Sequence, residues 1–98
     1  MNEKELQGHI RKAALESGWL YFHVWLSKFS PAGFPDCVLV KGNRLIFAEL
    51  KSGTNKPSPK QQEWLEALRQ VPGIEVYLWR EADLAEVYRI LLEAELAD

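Results

Sequence analysis

Asp36, Glu49 and Lys51 are the residues in this chain whose types and spacing suit chemistry at a metal ion. The two carboxylates stand 13 positions apart, with Lys41-Gly42-Asn43-Arg44 midway between them. Glycine followed by asparagine suits a two-residue hairpin turn. With Gly42 and Asn43 as the loop, Lys41 faces Arg44, Val40 faces Leu45, Val38 faces Phe47, and Asp36 faces Glu49. Directly opposed residues hold their Cβ atoms roughly 4.5–5.5 Å apart, and like charges there repel. Strand alternation puts Glu49 and Lys51 on one face with Leu45 and Phe47, so the charged end of that face is not merely a solvated surface. A divalent cation would neutralise two close carboxylates, taking oxygen ligands at about 2.0–2.6 Å. A slip of one residue would separate the acids onto opposite faces, so the inference depends on the turn. Read singly, Asp36 could open a strand after a proline turn, with Glu49 and Lys51 as edge charges that blunt aggregation. The paired geometry weighs against that alternative.

The elements that position these residues follow from periodicity. Asn2–Ser17 carries Leu6, Ile10, Ala13 and Ala14 at helical spacing, with Gly18 at its end. Leu20–Leu26 reads as a strand, Ser27–Pro35 as a loop, and Asp36–Val40 and Leu45–Lys51 as the hairpin strands. Ser52–Pro57 is a polar loop. Ser58 then caps a helix, with Pro59 at its first position, Gln61 completing a capping box, and Trp64, Leu65 and Leu68 as its buried stripe. Ile74–Trp79 is a fourth strand. Asp83 caps a last helix running to Glu95, with Glu86 three residues on and an apolar face of Leu84, Val87, Tyr88, Leu91 and Leu92. The order α-β-β-β-α-β-α predicts an α/β fold whose four-stranded sheet is mixed: an antiparallel hairpin and a parallel pair joined by a right-handed crossover.

Ninety-eight residues make one domain, 1–98, with 47% hydrophobic and 27% charged residues, the balance of an ordinary globule. No apolar run approaches the roughly 20 residues of a membrane helix, and no secretory leader stands at the start, so an intracellular, cytoplasmic protein without a membrane partner is expected. Cys37 is the single cysteine and reads as a core residue; no zinc spacing, nucleophile elbow or Gly-rich phosphate loop is present, so neither zinc nor a nucleotide cofactor is expected. The net charge of −2 hides a split: residues 26–62 hold six bases against two acids, and residues 63–98 three against nine. A basic segment is compatible with phosphate contact, though a solvated charge run explains it equally well.

Gly33-Phe34-Pro35-Asp36, Phe47-Ala48-Glu49-Leu50-Lys51 and Ser58-Pro59-Lys60-Gln61 with Trp64-Leu65 together resemble the VRR-NUC branch of the PD-(D/E)XK nucleases. The resemblance spans nearly the whole chain, including Trp79-Arg80, and its length is similar to that of stand-alone members from phages and bacteria. It implies a restriction-endonuclease-like αβββαβα core with helices flanking the sheet. It implies Mg²⁺ or Mn²⁺ held by Asp36, Glu49 and the Leu50 carbonyl, with Lys51 positioning or polarising the attacking water. The implied reaction is hydrolysis of DNA phosphodiester bonds, leaving a 5′-phosphate and a 3′-hydroxyl, with four-way (Holliday-junction-like) branched DNA as the expected substrate. A two-fold symmetric junction cut twice needs two sites, so a homodimer is expected. The rival readings are a catalytically silent DNA- or partner-binding module on this fold and a restriction-type nuclease cutting ordinary duplex.

The family often adds a glutamate from the first helix. Glu3 shares the face of Leu6 and Ile10 and is chosen over Glu5, although both also suit a first helical turn. Gln61 is a site candidate by the same resemblance and a capping residue by its spacing from Ser58. Lys28, Lys56 and Lys60 are candidates for DNA backbone contacts, or simply solvated lysines. His23 alternates with Tyr21 and Trp25; it could reach the site, but a structural role is favoured.

Overall fold

The hairpin organises the sheet. In the computed structural model, which describes residues 1–25 and 31–96, β2 (Cys37–Lys41) and β3 (Arg44–Leu50) are joined by Gly42 and Asn43. Gly42 has φ +58° and Asn43, like every other non-glycine among the described residues, does not have positive φ, the sign pattern of a II′ turn with glycine first. The observed pairs, from Lys41 opposite Arg44 to Cys37 opposite Ala48, have the register expected from the sequence. β1 (Leu20–His23) joins β2 antiparallel, with Leu20 opposite Val40 and His23 opposite Cys37. β4 (Glu75–Trp79) joins β3 in parallel after a crossover through α2 (Pro59–Arg69), so the sheet is mixed and ordered β1-β2-β3-β4.

The first strand is shorter than expected. It ends at His23 rather than Leu26, which lies outside the described residues. Val24 still donates its N–H to the Asp36 carbonyl at 2.8 Å, so the backbone stays beside β2 for one residue past the strand.

Alternation sorts the sheet residues onto two faces. Cys37, Leu39, Ile46, Ala48, Leu50 and Trp79 face a core shared with Leu6, Ile10 and Ala14 of α1 (Glu3–Glu16) and with Val87, Ile90 and Leu91 of α3 (Leu84–Leu96). On the other face Phe47 meets Phe34, which in turn packs edge-on against Trp64 of α2 at 5.0 Å. Trp19 ties the two halves of the core, donating its indole N–H to the Leu91 carbonyl at 3.1 Å while the Arg44 guanidinium lies over its ring. Arg44 also donates to Glu75 at 2.8 Å and holds that carboxyl below its ordinary range.

Of the two N-caps expected from the sequence, Ser58 is found and Asp83 is not; Asn2 is a further one. Asn2 caps α1 and Ser58 caps α2, each in a reciprocal box, with Glu5 and Gln61 respectively. Asp83 was expected to cap the last helix with Glu86. Its carboxylate instead accepts from the Arg80 N–H at 2.9 Å, across a 3₁₀ turn at Glu81–Asp83, and Glu86 pairs with Arg89. The apolar face of α3 is also narrower than expected. It buries Val87, Ile90 and Leu91 and leaves Tyr88 and Leu92 exposed, because the helix meets the core along a single i, i+3, i+4 stripe. In α2 only Leu65 is fully buried; Trp64 and Leu68 are half-buried. Among the described residues, no helix is long and apolar enough to cross a membrane.

The loop that delivers Asp36 is pinned against α2 at Gly33. Gly33 has φ +94°, and a Cβ there would sit 2.6 Å from the backbone carbonyl of Lys60. Gly33→Ala is therefore expected to lower stability by about 1–3 kcal/mol, from combined backbone strain and clash. Gly53→Ala, at φ +55° with nothing within 4 Å, should lose less. Urea unfolding midpoints of the two variants check this; equal midpoints would show that Gly33 is not pinned.

Candidate active site

The end of the β2–β3 ladder is where the sheet becomes polar. One pair beyond Cys37 and Ala48, the register sets Asp36 opposite Glu49, as the sequence predicted. One pair further, Leu50 stands opposite Pro35. Proline has no N–H to offer the Leu50 carbonyl, and the Leu50 N–H donates instead to Asp36 Oδ2 at 2.7 Å. On the other side of β3, the Lys51 N–H donates to the Trp79 carbonyl at 3.1 Å. Alternation therefore turns the Leu50 carbonyl away from β4 and toward the proline gap.

Glu49 is fully buried, and neither of its carboxylate oxygens has a hydrogen-bond partner. Burial, followed by contact with the Asp36 carboxyl and its charge, pushes the Glu49 carboxyl up to about 9, against a smaller opposing pull from Lys51. A buried carboxylate without partners is costly. The donors gathered here are all oxygens: the Asp36 and Glu49 carboxylates and the Leu50 carbonyl. Such a set fits a hard divalent cation, which would satisfy the two orphaned oxygens and offset the repulsion together.

Asp36 and Leu50 also line a cavity of about 450 Å³, together with Glu3, Gln7, His23 and Trp25. The two candidates on α1 are separated by their contacts. Glu5 is engaged in the capping box, its carboxylate accepting from the Asn2 N–H at 3.1 Å, whereas Glu3 stands on the cavity wall. Glu3 does not complete a three-ligand cluster: among the described residues no three His, Cys, Asp or Glu side chains converge on one point. The structure thus brings Asp36, Glu49 and the Leu50 backbone together and leaves Glu3 at the rim.

The remaining candidates are more dispersed. Gln61 Oε1 accepts from the Ser58 N–H at 2.8 Å, so its carbonyl end is committed to the helix cap. Lys56 is exposed. Lys60 lies 3.5 Å from Glu63, both well exposed, and borders a different hollow beside Trp64. Lys28 lies outside the described residues. His23 is drawn onto the cavity wall, with its Nδ1 buried and without a partner. The sequence signal for it was its alternation with Tyr21 and Trp25 along the strand.

The metal-free protein should be sensitive to pH through Glu49. Folded, this group keeps its proton up to about pH 9; unfolded, it releases it near the ordinary 4.5. The stabilising contribution is fully present below the lower value and is lost as pH rises toward the upper one. Thermal midpoints in EDTA should fall across that window, and Glu49→Gln should flatten the decline. An equal slope in the variant would assign the sensitivity to another group.

No family model matches the chain, and no curated protein matches it either. A solved structure described as a VRR_NUC domain protein superposes with a TM-score of 0.73, over 96% of this chain and 90% of that one, at 18% identity. Both chains are covered almost end to end, so the likeness is of the whole domain. The chain has the α/β fold of a VRR-NUC domain, with three helices about a mixed four-stranded sheet.

Proposed function

We propose that this chain is a Mg²⁺- or Mn²⁺-dependent DNA endonuclease that hydrolyses phosphodiester bonds in branched DNA such as four-way junctions. The observation that carries the reading is the Asp36–Glu49 pair, with both Glu49 oxygens buried and unpartnered. The VRR-NUC fold supports it, because the name of the similar structure designates a nuclease-type domain.

Asp36, Glu49 and the Leu50 carbonyl would hold the ion. Bound there, it supplies Lewis-acid stabilisation of charge developing on the phosphate and makes water acidic enough to attack near neutral pH. The protein's own residues do the rest. Lys51, next but one to Glu49 on the same strand face, orients the attacking water and stabilises the charge that develops on the phosphate. Glu3, on the cavity wall, is placed to act through water. Lys56, Lys60 and Lys28 would contact the DNA backbone away from the reacting atoms. Cleavage on this scheme leaves a 5′-phosphate and a 3′-hydroxyl.

A junction has two-fold symmetry, and the sequence holds one Asp36/Glu49/Lys51 set, so the working form would be a homodimer. Supporting this, Leu20 and Phe22 of β1 are 74% and 62% exposed beside exposed Val40, on the half of the sheet face that α2 leaves uncovered.

A labelled four-way junction and a linear duplex incubated with Mg²⁺, Mn²⁺ or EDTA test the reading. Cutting should require the metal and favour the junction, and Asp36→Ala and Lys51→Ala should each lose about 100-fold or more. Cleavage persisting in both variants would overturn the site. Equal rates on the two DNAs would indicate a duplex-cutting enzyme, and binding without cleavage a silent module. Sedimentation should show a dimer that Phe22→Glu dissociates; a monomeric wild type would remove the dimer.

A further inference from the structure

Of the large apolar side chains recorded as exposed, Trp25 is the most exposed, at 77%, and it stands at the rim of the cavity that Asp36 lines. An aromatic ring of that size is ordinarily buried, and its display beside a polar site asks for a ligand. The ring is not loose: His23 packs edge-on against it, with centroids 4.8 Å apart. The Nδ1 of His23 is buried behind this contact and has no hydrogen-bond partner. A second hollow of about 320 Å³ continues from the first, sharing Gln7, His23 and Trp25 with it and adding Arg11. Lys4 borders the first hollow. A groove thus leads away from the carboxylate pair, with a braced aromatic plane and one cationic side chain along each part.

This combination matches one nucleotide of a DNA strand. The aromatic plane takes a base face, the His23 ring braces that plane edge-on, and Lys4 and Arg11 lie where backbone phosphates would pass. A base inside a duplex has both faces covered by its neighbours, so Trp25 could stack only on one that is unpaired or turned out. We propose that Trp25 and His23 form a docking place for an unpaired nucleobase of the strand being cut, next to the scissile phosphate. The inference rests on the nuclease reading and deepens it: selection of branched DNA would come from an unstacked nucleotide at the branch, read within one protomer.

The test measures binding in EDTA, where no cutting occurs, against a single-stranded oligothymidylate and a fully paired hairpin duplex. Tryptophan emission and the anisotropy of a fluorescein label on the DNA are followed together. The oligothymidylate should quench tryptophan emission in the wild type. Trp25→Phe should keep affinity within about threefold, since phenylalanine still stacks, yet lose most of the quench, because the other tryptophans lie away from the groove. Trp25→Ala should weaken the single strand by about 10-fold or more and leave the duplex nearly unchanged, and His23→Ala should act in the same direction. An undiminished quench in Trp25→Phe, or equal losses on both DNAs, would overturn the proposal, as would a wild type that binds neither DNA. Metal-dependent cleavage is scored separately on wild type and Asp36→Ala. Cleavage without the Trp25-dependent quench removes the docking place and keeps the nuclease; the quench without cleavage does the reverse.

Discussion

A carboxylate buried opposite another carboxylate is the constraint around which the rest of this molecule is arranged. Glu49 is buried with both oxygens unpartnered, and the Asp36 carboxyl acts on it across the hairpin. In a sheet that served stability alone, this position would hold an apolar residue, as Phe47 does two places earlier. The hairpin instead holds the acids together by register. Gly42 supplies the positive φ that a two-residue turn needs, and the pairs from Lys41–Arg44 to Cys37–Ala48 carry that parity to the strand ends. Ile46, Ala48 and Leu50 are buried on the opposite face, so a slipped register would turn them out of the core and put Leu45, Phe47 and Glu49 in their place. The apolar core thus enforces the placement of two charges it does not touch.

Pro35 gives the pair its opening. Lacking an N–H, it leaves the Leu50 carbonyl without a donor from β2, while the Leu50 N–H bonds the Asp36 side chain. β1 ends at His23 with Val24 still bonded to the Asp36 carbonyl, so Trp25 follows beside the same gap. The loop before it is held by Gly33 against the start of α2 and by Phe34 between Phe47 and Trp64. One short segment therefore shapes the carboxylate end of the hairpin and the aromatic rim next to it.

Charge is used more locally than the linear sequence suggests. Of the bases in the positive segment, Arg44 is engaged with Glu75, Lys41 with the Ser17 carbonyl at 2.6 Å, and Lys60 with Glu63. Arg44 and Lys41 are thus spent on holding the fold, whereas the Lys60–Glu63 pair is well exposed. The cations beside the cavity, Lys4 and Arg11, come from α1, a stretch whose charges balance in sequence.

The sequence by itself determined the elements, their order and the hairpin register, because turn chemistry, helix caps and two-residue alternation are local rules. Those rules also placed Asp36 opposite Glu49. They were less reliable where an element meets the rest of the molecule: the width of the buried stripe on α3, the Asp83 turn and the early end of β1. Only the tertiary structure decided that Glu49 is sealed without a partner, that Glu3 rather than Glu5 faces the cavity, and that His23 and Trp25 share it. Each of these depends on which surfaces α1, α2 and the Pro35 loop cover. Burial and partnership arise between segments distant in the chain, and no local pattern encodes them.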